Sequence, residues 1–155
     1  MKFHYLARAI IFCDGKVLLA HMKGAENTFL PGGHIEFGEK AEAGLRREIK
    51  EEIGKDAQDR RFIGAVECAY TDNGQENHEI DLLFEVGVPG LDPSEIPNAR
   101  ESHLEFLWSA PEELRAHNLL PEALIECLLN WKQNYKGYWG SSFSLPALIP
   151  NQDDS

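Results

Sequence analysis

The sequence predicts an α/β layered fold built as one domain. Strand-like apolar runs alternate with helical stripes, and Gly, Pro, Asn and Asp residues separate almost every run from the next. No internal repeat or low-complexity linker divides the chain, and 155 residues match a single domain of roughly 100–200. A chain of this length buries about 68–70% of its unfolded surface, so its core needs no disulfide or structural metal.

Each element has its own warrant. Phe3 to Phe12 is apolar and aromatic and runs up to Asp14-Gly15, and Val17 to Met22 follows; two such runs split by Asp-Gly-Lys predict a β-hairpin. Thr28 to Leu30 is a short extended piece stopped by Pro31-Gly32-Gly33. From Lys40 to Ile53 the pattern turns helical: Ala41, Leu45, Ile49 and Ile53 form one stripe, and Gly54 is a stop. Arg61 to Tyr70 and Ile80 to Val88 read as strands joined by Thr71-Asp72-Asn73-Gly74. Pro89 to Arg100 is a long loop, a length often used for lids or binding loops. Leu104 to Trp108 is a last strand, and Pro111 to Ala116 opens as a short helix with Pro at its start. Pro121 to about Asn134 is a second helix with Leu124, Ile125, Leu128 and Leu129 on one side. The domain is thus placed at residues 1–136. The tail, 137–155, is rich in Gly, Ser and Pro yet holds Tyr138, Trp139, Phe143, Leu145 and Leu148. Two readings stand for it: a segment lying on its own domain, or an arm packing on a second subunit in a homodimer.

Composition narrows the function. Apolar residues are 43% and charged residues 26%, ordinary for a globular protein. A net charge of −11 argues against bulk attraction to nucleic acid or anionic lipid. It leaves room for a small anionic substrate, since bound cations reverse the local sign. Cys13, Cys68 and Cys127 lie far apart, without zinc spacing and in odd number, which makes a reducing cytoplasm the default. No stretch approaches the ~18 apolar residues of a membrane span, and the five-residue run Ala9 to Cys13 is too short for a signal-peptide core.

The stretch that carries chemistry is Gly32 to Gly54, GGHIEFGEKAEAGLRREIKEEIG. Its opening is not a P-loop, because Glu39 and Lys40 stand where Lys and Ser or Thr are needed. Glu48, Glu51 and Glu52 sit at i, i+3 and i+4, within an arc of roughly 100° on one helix face. Like charges so spaced destabilise a helix, and a hard divalent cation offsets them well. With Arg46, Arg47 and Lys50 interleaved, the alternative is a solvated acidic face. The tight Pro-Gly-Gly turn before the helix and the further carboxylate Glu39 at its entrance favour a site for a metal-bound phosphate.

This segment resembles the Nudix box, GX5EX7REUXEEXGU, with U a bulky aliphatic residue. Gly33 takes the first Gly place and Glu39 the isolated Glu; Arg47-Glu48-Ile49 give REU, and Glu51, Glu52 and Gly54 give EEXG. Lys55 departs from the final apolar position, a packing position in the family. The flanks also fit: LPGG before the box, and EFLW with a short helix after it. The resemblance implies a Nudix-type α/β/α sandwich around a mixed β-sheet. It implies hydrolysis, with Mg²⁺ or Mn²⁺, of a phosphoanhydride in a nucleoside diphosphate linked to another group, X. Glu48, Glu51 and Glu52 would be metal ligands, with the Gly32 carbonyl as a further one. Arg47 would orient the carboxylates, and Glu39 would support the loop or the metal through water. The base would be Glu48 or Glu52, or a carboxylate outside the box, for which Glu101 and Glu105 are candidates.

Specificity in the family lies outside the box. Tyr70 ends a strand and is a candidate for stacking on a base, or for packing. Phe29, before the Pro-Gly-Gly turn, lines a nucleotide pocket or the core. Lys23 or Arg8 meets a phosphate or is an exposed basic residue. The rival class is a non-catalytic Nudix-fold module that binds a nucleotide or a protein.

Overall fold

The computed structural model describes residues 1–130 and 137–142. In chain order its elements are β1 (Lys2–Ile10), β2 (Phe12–Cys13), β3 (Lys16–Met22), β4 (Gly32–His34), α1 (Ala41–Ile53), β5 (Gln58–Asp72), β6 (Gln75–Gly87), β7 (Leu104–Ser109), a 3₁₀ turn (Pro111–Glu113), α2 (Ala123–Leu129) and β8 (Tyr138–Ser141). A five-stranded sheet has the order β4-β1-β6-β5-β8, and a three-stranded sheet the order β2-β3-β7. The larger sheet is mixed: β1 runs parallel to β6 and β5 parallel to β8, while β4 and β6 meet β1 and β5 respectively in antiparallel fashion.

The predicted N-terminal hairpin forms only in part. Asp14 and Gly15 have φ of 46° and 77°, the paired positive values of a tight hairpin turn, and they join β2 to β3. The long run before them does not pair with β3. It is β1, and the chain leaves it at Ile11 to enter the other sheet. A continuous apolar run conceals such a switch, because strand pairing is not written in apolar content. The β5–β6 hairpin turns at Asn73-Gly74, with φ of 48° and 76°. The strands extend to Gln58–Asp72 and Gln75–Gly87, beyond the apolar runs. The predicted short helix at Pro111 shrinks to the 3₁₀ turn. The second helix is described from Ala123 to Leu129, and its predicted continuation over 131–136 lies outside the described residues.

The core has two halves. Leu45, Ile49 and Ile53 of α1 pack with Ala7, Ala9, Leu18, Phe84 and Phe106. Leu124, Ile125 and Leu128 of α2 pack with Ile10, Leu19, Ile63, Val66 and Leu83. Helices therefore cover different faces of the sheets, one mixed and one antiparallel, the α/β layering the sequence predicts. Gly54 ends α1 in the left-handed region at φ 79°, with its N–H donating to the Lys50 carbonyl.

From the tail, β8 lies on β5, Tyr138 Oη donates to the Ala123 carbonyl at 2.7 Å, and Ser142 Oγ accepts from Ala123 N–H at 3.0 Å. Phe143, Leu145 and Leu148 fall outside the described residues. Gly64 has φ 154°, and a side chain there would strike the Tyr138 carbonyl. Gly64→Ala is therefore expected to loosen β8 from the sheet and to lower stability by about 1–3 kcal/mol, read by denaturant unfolding.

Candidate active site

The site is assembled where β4 crosses α1. Strand β4 pairs with Leu6–Arg8 of β1, which fixes the Gly32-Gly33 backbone against the helix. Two glycines are required here. A Cβ on Gly32 would overlap the Ala7 carbonyl, and one on Gly33 would lie 2.5 Å from Glu48 Cδ. Gly44, in the first turns of α1, makes room in the same way: a Cβ there would lie 2.8 Å from Glu39 Oε2.

Arg47 is the hub of the acidic face. Its Nε and Nη2 donate to the two oxygens of Glu39, each at 3.0 Å, in a bidentate pair. Its Nη1 donates to Glu48 at 2.8 Å and Glu51 at 3.3 Å, and its Nη2 also reaches the His34 carbonyl at 3.0 Å. These carboxylates hold the guanidinium charged, with its pKa above the ordinary arginine value. In return Arg47, then the Glu36 N–H, pull Glu39 below the usual carboxylate range.

Glu52 differs from its neighbours. It is 4% exposed, and its Oε2 accepts the Gly32 N–H at 3.1 Å. Burial pushes its pKa up to about 8; the Gly32 N–H and Arg8 oppose this, while the charges of Glu48 and Glu101 add to it. Glu101 comes near because its loop is tied to the helix: Arg100 N–H donates to the Glu52 carbonyl at 2.8 Å. Glu101 itself pairs with His103 at 3.2 Å, and Glu105 with His21 at 3.2 Å. The loop predicted at Pro89 to Arg100 is further pinned by Trp108 Nε1–H donating to the Glu95 carbonyl.

The predicted substrate residues divide between two cavities. Arg8, Phe29 and Tyr70 line one of about 600 Å³, and Lys23 and Glu101 line another of about 480 Å³ with His21 and Glu105. Arg8 is not an exposed basic residue. Its Nε donates to Asp81 at 3.0 Å, and its Nη1 to the Leu30 and Gly32 carbonyls at 3.2 Å each. Its guanidinium lies 5.5 Å from the centre of the Phe29 ring. Burial opposes its charge, but Asp81 and Glu79 keep its pKa above the ordinary value. Tyr70 Oη donates to Glu79 at 3.4 Å and its ring stacks on His4.

Sequence reading missed Asn77, Glu79 and Asp81, which are buried on one face of β6. The signal was present: three polar residues at period two ahead of Leu83, interleaved with Ile80 and Leu82 on a strand that is apolar from Leu82 to Phe84.

A hard cation fits this donor set. Glu48, Glu51, Glu52 and the Gly32 carbonyl offer only oxygen, the glycines hold backbone against carboxylate, and buried Glu52 lacks a cationic hydrogen-bond partner among the described residues. Among the described residues no three acidic, His or Cys groups already converge in ligating geometry, and Arg47 holds Glu48 and Glu51 instead.

Comparison with known proteins places the chain in a family. The NUDIX domain model matches residues 3–128, and the chain belongs to the NUDIX family of hydrolases. An ADP-ribose pyrophosphatase of Methanocaldococcus jannaschii is 31% identical over 128 residues, 79% of this chain and 71% of that protein. A nucleoside triphosphatase NudI of Salmonella paratyphi B is 31% identical over 131 residues, 77% of this chain and 90% of that protein. Among solved structures, one of a UDP-X diphosphatase superposes with a TM-score of 0.63 at 21% identity, a likeness of fold. The match covers 88% of this chain and 66% of that one.

Metal-free stability follows from Glu52. Its folded-state pKa of about 8 exceeds its ordinary 4.5, so the protonated acid favours the fold. That contribution is complete below about pH 4.5 and is lost as pH rises through about 8. In chelator, Glu52→Gln is expected to melt above the wild type at pH 8–9 by a few degrees and to match it near pH 5, as read by thermal scans.

Proposed function

We propose that the chain hydrolyses a phosphoanhydride bond of a nucleoside diphosphate linked to X, giving a nucleotide and a phosphorylated X. The observation that carries this reading is the buried Glu52 beneath the Gly32-Gly33 backbone, beside Glu48 and Glu51 on the helix that Arg47 organises. Family membership and the nucleotide-cleaving names of its relatives support it.

Glu48, Glu51, Glu52 and the Gly32 carbonyl would hold Mg²⁺ or Mn²⁺. When bound, the ion supplies charge neutralisation for the diphosphate and acidifies a water. Arg47 bridges Glu48 and Glu51 through Nη1 and locks Glu39 across the helix entrance. Water adds to phosphorus, the bridging P–O bond breaks, and a carboxylate takes the proton. Glu101 is the proposed acceptor from outside the helix, since its charge acts on Glu52 and its loop is tied to the helix backbone. The nucleoside half enters the cavity of Arg8, Phe29 and Tyr70, next to the Gly32 carbonyl that Arg8 touches. Cys13, Cys68 and Cys127 form no disulfide with one another, in keeping with a cytoplasmic setting, and no helix among the described residues is long and apolar enough to cross a membrane.

Turnover of nucleotide sugars, ADP-ribose, dinucleoside polyphosphates and nucleoside triphosphates, with Mg²⁺, Mn²⁺ or chelator, tests the reading. Metal-dependent cleavage of one class is expected, with kcat lowered about 10²- to 10³-fold in Glu52→Gln. Unchanged turnover in that variant would refute the role given to the acidic face. Arg47→Lys keeps the charge but not the fork, and is expected to weaken Mn²⁺ binding about 10- to 100-fold in direct titration.

A further inference from the structure

The cavity beside Arg8 carries chemistry that the acidic helix does not use. Its volume of about 600 Å³ suits a nucleoside. Its charged lining is Arg8 against Asp72, Glu79 and Glu122, a balance that repels phosphate and welcomes N–H donors. Glu79 is buried on β6 and lines the cavity, and Tyr70 Oη fixes one of its oxygens. A carboxylate has about four acceptor sites, so capacity remains for a ligand. Arg8 spends Nε and Nη1 on Asp81 and two carbonyls. Its Nη2 stands 3.8 Å from Glu79 Oε1, beyond hydrogen-bond distance, which leaves donors beside the carboxylate. The Arg8–Asp81 pair, with Asp81 fully buried, holds this array rigid.

Burial, then the charge of Asp81, push the Glu79 carboxyl up to about 7, so above that pH the pattern offered is one donor, from Arg8, next to a two-oxygen acceptor, from Glu79. A guanine edge presents its complement: the O6 acceptor, then the N1 and N2 N–H donors. Adenine and cytosine place an acceptor beside a single donor group, and uracil flanks one donor with acceptors; each sets an acceptor against the Glu79 carboxylate. We infer that Glu79 is the specificity residue for the nucleobase and that this cavity takes a guanine-type base. The inference rests on the proposed function only in taking the occupant to be a nucleotide.

Binding of GMP, AMP, UMP and CMP, measured by calorimetry in chelator at a pH of about 8.5, where the Glu79 carboxyl is ionised, tests it without catalysis. GMP is expected to bind about ten- to hundredfold more tightly than the others. Glu79→Gln keeps the shape but presents one acceptor and one donor, the match for adenine. The variant is expected to lose at least about tenfold for GMP and to bind AMP more tightly than GMP. A wild type that does not favour GMP, or binds none of the four, overturns the inference, as does a folded variant that weakens all four alike. A parallel turnover series with GDP-, ADP-, UDP- and CDP-glucose and Mn²⁺ separates the two readings. Cleavage without base preference sinks the role of Glu79 and leaves the hydrolase reading standing. Selective GMP binding without cleavage of any nucleoside diphosphate substrate does the reverse.

Discussion

A largely buried guanidinium joins the parts of this molecule that matter for function. Arg8 reaches Asp81 on the neighbouring parallel strand, the carbonyls of Leu30 and Gly32 at the turn, and the Phe29 ring. One side chain thus sets β4 against β1 and β6, holding the carbonyl of the residue whose N–H reaches Glu52 on the acidic helix. Burying such a pair costs desolvation on both partners, so its net stabilisation is small. Breaking it is another matter. Asp81 is fully buried, with its second oxygen lacking a hydrogen-bond partner among the described residues, and loss of Arg8 would leave it uncompensated at a cost of about 3–5 kcal/mol. The interaction specifies geometry more than it adds stability.

Helix α1 solves the opposite problem. Three carboxylates on one face repel one another, and a helix carrying them gains little from propensity alone. Its apolar stripe supplies the anchor: Leu45 and Ile49 are fully buried under the sheet. Arg47 then distributes one positive charge over Glu39, Glu48 and Glu51. Glu52 escapes this sharing and sits under the Gly32 N–H, where burial raises it to about 8. Four carboxylates along one short segment therefore have two electrostatic environments, set by whether Arg47 or the strand backbone reaches them.

Local signals in the sequence were enough for the layered fold, for the helix and its Gly54 stop, and for the gathering of Glu39, Arg47, Glu48, Glu51 and Glu52. All of these depend on spacing within one segment, and the helix period converts spacing directly into position. Pairings between distant segments were not legible. Nothing in Phe3 to Phe12 announces that the chain changes sheets at Ile11. In sequence Arg8 reads as a phosphate contact or an exposed basic residue, because its partner Asp81 stands 73 residues away. Lys23 and Arg8 seemed equivalent candidates, yet they line different cavities.

The change of sheet at Ile11 also bears on how the domain comes apart. Ile10 belongs to the core half under α2 and Ile11 to the half under α1, and Leu19 and Leu18 repeat that division on β3. Consecutive residues are thus shared between the two halves, so neither half can melt without pulling backbone from the other. Such a chain lacks a seam along which one layer would open as a separate foldon. The acidic helix packs on β1 and β3, which serve both halves, so it persists or vanishes with them in one cooperative event.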